Sequence, residues 1–180
     1  MMSSTKYREY KNKKWERPFS SSLPLHLTLR SDVAKGEYFL LKRGRRSWIS
    51  AYIFYLCKKF HITLFHHAVA GNHLHLGILT HDKNNLNNLL RALSGNIARK
   101  VLGAEKGKKK EVKFWSERPG SRVLTWGQEF QRVLRYIERN ILEAKGKIRY
   151  LTRDQRVPET LVQCLRNRIQ ARRGQLALQI

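Results

Sequence analysis

The stretch Gly71-Asn72-His73-Leu74-His75-Leu76-Gly77-Ile78-Leu79 decides the fold. Small or polar residues alternate in it with apolar residues, which is the pattern of a half-buried β-strand. Successive side chains of a strand point to opposite faces, so His73 and His75 share one face, while Leu74 and the apolar alternates after it share the other. Two imidazoles placed in this way can bind one divalent metal ion, and the apolar face anchors them in a core.

Two more strands are predicted beside this one. Residues 23–30 (LPLHLTLR) alternate strictly, and the face that carries His26 and Arg30 would lie beside the two histidines if the strands pair. Residues 61–70 (HITLFHHAVA) are β-branched and aromatic, and a short turn joins them to the histidine strand as an antiparallel hairpin. His66 and His67 are adjacent, so they point to opposite faces and cannot both bind one ion.

Apolar residues at helical spacing predict three helices. Residues 45–60 carry Trp48 and Tyr55 among their aromatic side chains, which we expect in the core. Residues 83–102 carry a regular leucine stripe that ends at a glycine, and residues 127–145 carry a third apolar stripe.

Short strands are predicted at residues 112–115 and 121–124, around a turn at 118–120. The order is then strand, helix, hairpin, helix, short strands, helix. This order predicts an α+β fold, a ferredoxin-like antiparallel sheet with packed helices.

Charge is the strongest signal in the composition. The 180 residues include 37 Lys and Arg against 13 Asp and Glu, a formal net charge of +24. Such an excess predicts an anionic polymer as partner, and nucleic acid is favoured over a ribosomal or membrane surface. We expect a basic flexible arm over residues 1–22, one domain over 23–150 and a basic tail with a helix over 151–180.

Cysteines and targeting signals are sparse. Cys57 and Cys164 stand in unrelated contexts, which predicts free buried thiols in a reducing compartment. The first 18 residues lack the apolar segment of a secretory leader, and no apolar run is long enough to cross a bilayer. The expectation is a soluble, cytoplasmic protein.

The last predicted helix offers a partner for the histidine pair. Tyr136 and Asn140 lie one turn apart on one flank of its apolar stripe. Two imidazoles and an amide oxygen suit Mg²⁺ or Mn²⁺, ions that keep water ligands and accept phosphate oxygens. A tyrosine beside such an ion can attack a phosphodiester in line. Taken singly, the histidines can be structural and Tyr136 an aromatic at the core edge; only the constellation favours catalysis.

Several of these segments resemble one family, the HUH-class single-strand tyrosine transposases of the insertion-sequence and REP-associated type. His73-Leu74-His75 resembles its histidine-hydrophobic-histidine motif, and residues 135–140 (RYIERN) resemble its Tyr-Ile-x-x-Asn block. Residues 25–30 are similar to its first strand, and residues 114–124 to its Trp…Arg-Val segment. The resemblance spans about residues 23–146. Ile141 departs from it, since the family usually has proline there.

The resemblance implies a site and a reaction. Tyr136 would be the nucleophile and His73, His75 and Asn140 the metal ligands. The product would be a 5′-phosphotyrosine link to single-stranded DNA with a free 3′-hydroxyl, formed beside DNA hairpins by a homodimer, sometimes with the tyrosine helix acting in trans.

The remaining candidates are DNA contacts, proposed mainly because basic side chains neutralise phosphates. They are His26, Arg30, Arg122, Arg132, Arg135, Arg139, Lys108, Lys109 and Lys110. The helical pattern puts the arginines at 132, 135 and 139 on the solvent side. Two alternatives stay open: a non-catalytic hairpin-binding protein on the same fold, and a metal-dependent phosphodiesterase that uses water, with Tyr136 structural.

Overall fold

The histidine stretch forms an inner strand of a four-stranded antiparallel sheet. The computed structural model describes residues 16–105, 112–150 and 157–177 of the chain. Its strands are β1 (Leu25–Arg30), β2 (Thr63–Val69), β3 (His73–Leu79) and β4 (Gly120–Val123), and their order across the sheet is β2-β3-β1-β4.

Helices cover both faces of this sheet. A helix, α1 (Arg45–Lys59), joins β1 to β2, and α2 (Lys83–Leu102) joins β3 to β4. This β-α-β-β-α-β connection is the ferredoxin-like arrangement. A third helix, α3 (Gln128–Ala144), follows β4, and α4 (Glu159–Ala177) comes last. The predicted α+β class with an antiparallel sheet is confirmed.

The alternation in the strands sorts side chains between two apolar cores. The leucines of β1 and the apolar alternates of β3 pack with Ile49 and Ile53 of α1 and with the leucine stripe of α2. On the other face, Ala68 of β2 packs with Phe130 and Ile137 of α3 and with the apolar side of α4. The second helical layer therefore lies on the face that carries the histidines.

The register of β1 against β3 brings the predicted polar faces together. Thr28 is opposite His75, Arg30 is opposite His73, and His26 is opposite Gly77. Directly opposed residues share a face of the sheet. The pairing of β1 with β3, which the sequence left open, is therefore present. His26 lies on the same face of the sheet as His73 and His75.

A bulge in β2 also positions a side chain on this face. The register shifts between Leu64 and His66, so that Phe65 is the extra residue. Phe65 packs against Phe130 with a centroid distance of 5.0 Å, while His67 contacts Phe54 at 5.1 Å. A bulge bends its strand and re-aims the side chains that follow it. His66 thereby turns towards α3 and His67 towards α1, on opposite faces as predicted.

The prediction for α2 is confirmed at both ends. The helix begins after Asp82, whose carboxylate accepts a hydrogen bond from the backbone N–H of Asn84 at 2.8 Å. It ends at Gly103, whose φ of +61° suits glycine because side chains disfavour the left-handed region. All six apolar residues of the stripe from Leu86 to Val101 are buried.

The strand predicted at residues 112–115 is wrong. Only residues 120–123 form a strand in this part of the chain, and Phe114 and Trp115 are instead core side chains. The indole of Trp115 donates a hydrogen bond from Nε1 to the carbonyl of Ser94 in α2 at 2.8 Å. Because these rings are fixed in the core, the segment does not continue the edge of the sheet.

Two burial predictions are also corrected. Tyr55 is 57% exposed, because α1 buries Ile53 and Leu56 and turns Tyr55 away from them. Cys57 is buried, which raises the pKa of its thiol to about 12, whereas Cys164 on α4 is exposed.

The two ends of the chain are partly described. Residues 16–22 contact the domain, for example through the Nδ1–H of His81, which donates to the Ser21 carbonyl at 2.6 Å. The helix predicted in the tail is present as α4. Residues 1–15, and the three lysines Lys108, Lys109 and Lys110, lie outside the described residues. Of the helices described, none combines the length and the apolar character that a membrane span requires.

Candidate active site

A cleft of about 600 Å³ opens between the histidine face of the sheet and α3. It is lined by the four residues of the predicted catalytic set, which are His73, His75, Tyr136 and Asn140. Four charged residues also line it: Arg30, Glu117, Arg139 and Glu143. The structure therefore brings together side chains that are more than 60 positions apart in the sequence.

His73 stands between two amide oxygens. Its Nδ1 lies 2.8 Å from Oδ1 of Asn72, and its Nε2 lies 3.2 Å from Oδ1 of Asn140. Burial lowers the pKa of His73, although its contact with Asn140 acts in the opposite direction. A neutral imidazole has a single N–H. When Nδ1–H donates to Asn72, the lone pair of Nε2 faces the lone pairs of the Asn140 oxygen.

Asn140 is held in this orientation by its own helix. It is 7% exposed, and its Nδ2 donates to the backbone carbonyl of Tyr136 at 2.8 Å. The amide nitrogen is used within α3, so the oxygen is the atom that faces His73. Ile141 replaces the proline usual in the resembled family, and α3 continues to Ala144 with Ile141 in its buried stripe. This departure does not take Asn140 away from the histidines.

His75 is the most enclosed imidazole of the cleft. Burial, and then the neighbouring His73 and His26, lower its pKa to about 2, so it is neutral at ordinary pH. Its Nδ1 lies 3.2 Å from Nε2 of His26, and its Nε2 lies 3.5 Å from the hydroxyl oxygen of Tyr136. Burial also lowers the pKa of His26, to about 4, with a smaller effect from Arg122.

Tyr136 projects from α3 over the histidines. Its ring centroid lies 5.0 Å from that of His75 in an edge-on contact, and the residue is 39% exposed. The hydroxyl group reaches the imidazoles of the same chain. A tyrosine that contacts both the histidines and solvent can meet a phosphodiester bound in the cleft.

The donor set suits a hard divalent ion with open positions. When Nδ1–H of His73 donates to Asn72, no proton lies between Nε2 of His73 and Oδ1 of Asn140. The lone pairs of these two atoms then repel each other, and a cation bound between them would remove that repulsion. His75 presents a second neutral imidazole, with its ring centroid 4.8 Å from that of His73. Within the described parts of the chain, no group of three His, Cys, Asp or Glu side chains is placed to hold a metal ion. The Asn140 amide oxygen is the further donor that faces His73.

Arg139 lies in the cleft and not on the solvent side, which corrects the helical-wheel prediction. Its side chain is 16% exposed, and Cζ lies 5.3 Å from the Tyr136 ring. Nε is 3.3 Å from Oε1 of Glu143 but has no partner in hydrogen-bond geometry among the described residues. Arg139 lies between Tyr136 and Asn140 on α3, and both of these residues face the cleft, so the Arg139 side chain is directed into the cleft as well.

The other predicted DNA contacts lie around the site or outside it. Arg30 lines the cleft on β1, where its Nε is 3.4 Å from Asp32. Arg122, on β4 opposite His26, pairs with Glu129. The side chains of Arg132 and Arg135 lie on the outer side of α3, towards the start of α4, and line a small depression there.

A buried charged cluster on the other flank of α3 was not predicted from the sequence. Glu138 is fully buried, and its Oε2 lies 2.7 Å from Nε2 of His66 on β2. Its Oε1 accepts a hydrogen bond from Nε of Arg168 on α4 at 2.7 Å. A signal was available: Glu138 stands four residues after Leu134 and three before Ile141, within the apolar stripe.

Comparisons with known proteins identify a family and a similar fold. The family model described as "Transposase IS200 like" matches residues 20–140. A solved REP-associated tyrosine transposase bound to a REP hairpin has a similar fold, with a TM-score of 0.52 at 10% identity over 73% of each chain. A crystal structure of a candidate transposase from Deinococcus radiodurans R1 aligns at 18% identity and a TM-score of 0.44, over 71% of this chain and 97% of the other. No curated protein matches the chain in sequence.

A ferredoxin-like sheet with a histidine-hydrophobic-histidine strand under a tyrosine helix defines the class of HUH tyrosine transposases. With the family model matched over residues 20–140, the chain belongs to the IS200-like transposase family. Its function is accordingly transposase-like.

Proposed function

We propose that this chain is a metal-dependent endonuclease and strand-transferase for single-stranded DNA, with Tyr136 as the nucleophile. One observation carries the proposal: the Tyr136 hydroxyl oxygen lies 3.5 Å from Nε2 of His75, in a cleft that also holds His73 and Asn140. The distance is within one chain, so a site of this kind does not require a tyrosine from a partner.

The reaction is a transesterification. The Tyr136 phenol gives up its proton, its oxygen bonds to the scissile phosphorus, and the bond from phosphorus to the 3′ oxygen breaks. The leaving 3′ oxygen takes up a proton and becomes a free 3′-hydroxyl, while the 5′ end stays attached to the protein as a phosphotyrosine. Attack by another 3′-hydroxyl reverses the step and joins new ends. The phosphodiester energy is kept, so the reaction needs no nucleotide hydrolysis.

His73, His75 and Asn140 would hold Mg²⁺ or Mn²⁺. The ion would neutralise charge on the scissile phosphate and polarise it. Arg139 adds a guanidinium beside the nucleophile, a position in which a fixed positive charge can stabilise the reacting phosphate.

The proposed substrate is a DNA strand that carries a hairpin beside the cleavage site. Support comes from the net charge of +24 and from the solved transposase of similar fold, which is bound to a REP hairpin. We expect the protein to act as a homodimer, which sedimentation of the chain with and without hairpin DNA would test.

The deciding experiment detects a covalent adduct. Single-stranded hairpin DNA, labelled 3′ of the cleavage site, is incubated with the protein and Mg²⁺ or Mn²⁺ and run on a denaturing gel. We expect a labelled protein band that is lost with EDTA and in Tyr136→Phe. Tyr150→Phe is the matched control, because Tyr150 also lines the cleft, and it should keep the band.

Each other outcome selects an alternative. Cleavage without a protein band, unchanged in Tyr136→Phe, would identify a phosphodiesterase that uses water. Salt-sensitive hairpin binding without cleavage, whichever ion is added, would identify a non-catalytic DNA-binding protein.

A further inference from the structure

His26 lies beside His75, and its ring also contacts the edge of the Tyr136 ring at a centroid distance of 6.2 Å. Its Nε2 is 3.2 Å from Nδ1 of His75, with a ring-centroid distance of 5.2 Å and an interplanar angle of 27°, so the two rings meet nitrogen to nitrogen. The pairing of β1 with β3 fixes this arrangement, because His26 and His75 occupy neighbouring strands and the same face. The contact is therefore built from the sheet and not from mobile loops.

This geometry argues against His26 as a third metal ligand. Its Nε2 faces Nδ1 of His75, whereas the other ring nitrogen of His75, Nε2, faces the Tyr136 hydroxyl. His26 is also absent from the side chains that line the cleft. An ion held by His73, His75 and Asn140 would contact Nε2 of His75, so His26 would act on that ion through His75.

The two rings are within hydrogen-bond distance of each other. Two neutral imidazoles that face each other with one nitrogen each can form a hydrogen bond in two ways. Either Nδ1–H of His75 donates to His26, and Nε2 of His75 keeps its lone pair, or His26 donates and the proton of His75 is on Nε2. Only the first arrangement leaves His75 able to bind a cation in the cleft.

We propose that His26 is a positioning residue, which accepts the Nδ1–H hydrogen bond of His75 and thereby fixes the tautomer whose Nε2 can bind a metal ion. The inference rests on the proposed metal-dependent function and adds to it the residue that prepares His75. Hydrogen-bond partners behind metal-binding histidines commonly fix the ring in this way, and their loss costs roughly 10- to 100-fold in metal affinity.

The test compares two replacements of His26 in the full chain. His26→Phe keeps an aromatic ring but has no acceptor, whereas His26→Gln has an acceptor oxygen. Mn²⁺ binding is measured by the electron paramagnetic resonance signal of free Mn²⁺. We expect about 10- to 100-fold weaker binding in His26→Phe and most of the affinity restored in His26→Gln. His81→Phe, which removes an exposed histidine outside the cleft, should bind as the wild type does.

A second readout follows the tautomer itself. Nitrogen-15 NMR of histidine-labelled protein with Mg²⁺ should show the His75 proton on Nδ1 in the wild type and in His26→Gln. Circular dichroism and the melting temperature report whether His26→Phe is folded; if it is not, the tautomer and affinity of His26→Gln against those of His26→Leu decide.

The outcomes separate this inference from the function on which it rests. Wild-type Mn²⁺ affinity in folded His26→Phe, or equal losses in His26→Phe and His26→Gln, would overturn the role of His26 alone. If the wild type binds no Mn²⁺ and forms no DNA adduct, the proposed function fails and the inference fails with it.

Discussion

Oδ1 of Asn140 and Nε2 of His73 face each other at 3.2 Å, across the space between α3 and the sheet. The Asn140 amide nitrogen is used by the Tyr136 carbonyl, so the oxygen cannot turn away without losing that hydrogen bond. One helix thus fixes the proposed third ligand and the proposed nucleophile together, and this coupling is the basis of the first prediction.

Replacement of Asn140 should change the affinity of the protein for Mn²⁺. In Asn140→Asp an oxygen still faces His73 and carries charge, so Mn²⁺ affinity should be kept or increased. Asn140→Leu removes the oxygen, and its loss of affinity should exceed the roughly 10- to 100-fold that changes behind the ligands cost. Titration calorimetry with Mn²⁺ measures both. Equal affinity in Asn140→Leu and the wild type would show that Asn140 is not a ligand.

Arg139 should affect the reaction more than DNA binding. It lies in the cleft beside Tyr136, and removal of one charge-stabilising donor typically slows catalysis by about 100-fold. Arg139→Gln should therefore form the adduct about 100-fold more slowly at saturating hairpin DNA. Rapid-quench gels provide the rate.

Arg132→Gln is the matched control on the same helix, because Arg132 is exposed and its Nη2 donates to Gln128 outside the cleft. It should leave that rate unchanged and lower the slope of log affinity against log salt by less than about 1. A normal adduct rate in Arg139→Gln would show that Arg139 does not stabilise the reacting phosphate.

Glu138 should be important for stability. Its carboxylate is fully buried between His66 and Arg168, and loss of one member of a buried charged cluster typically costs about 3–5 kcal/mol. Glu138→Gln should lower the free energy of unfolding in urea by about 3 kcal/mol. Glu159→Gln is the control, because Glu159 is 81% exposed and its ion pair with Arg166 is long, at 3.7 Å. It should change the unfolding free energy by less than about 0.5 kcal/mol. Similar values for both variants would contradict the role of the cluster.

The stability of the metal-free chain should fall when the pH drops below neutrality. His26 has an ordinary pKa of 6.5 and a folded-state pKa of about 4, chiefly because of burial. Between these values the unfolded chain binds a proton that the folded chain does not, so stability is complete above pH 6.5 and decreases towards pH 4. Each such imidazole contributes a slope of about 1.4 kcal/mol per pH unit.

Urea unfolding at several pH values in EDTA measures this slope. His75 adds to it in the same direction, since its folded-state pKa is about 2. His26→Gln should lower the slope because it removes one of the protons, and an unchanged slope would contradict the neutral state of His26 in the folded chain.

Local patterns in the sequence were sufficient for most of the elements. Alternation over residues 23–30 and 71–79 predicts the two central strands and the common face of His73 and His75. The strands form over Leu25–Arg30 and His73–Leu79, and the common face is confirmed. Apolar spacing predicts α2 from Lys83 to Leu102 without an error at either end. These features depend on the period of side-chain directions within one element, which neighbouring residues contain in full.

Contacts between elements were decided only by the tertiary structure. The helical period shows which residues of α3 share a side. It does not show that Arg139 faces the cleft, or that Glu138 contacts the imidazole of His66 in β2 and the guanidinium of Arg168 in α4. The bulge at Phe65 and the aromatic anchors at Phe114 and Trp115 likewise depend on distant partners. The sequence alone was sufficient to select the side chains that we propose for the chemistry. The packing of α3 across β3 decided that Tyr136 and Asn140 reach the histidines, because that contact joins segments about 60 residues apart.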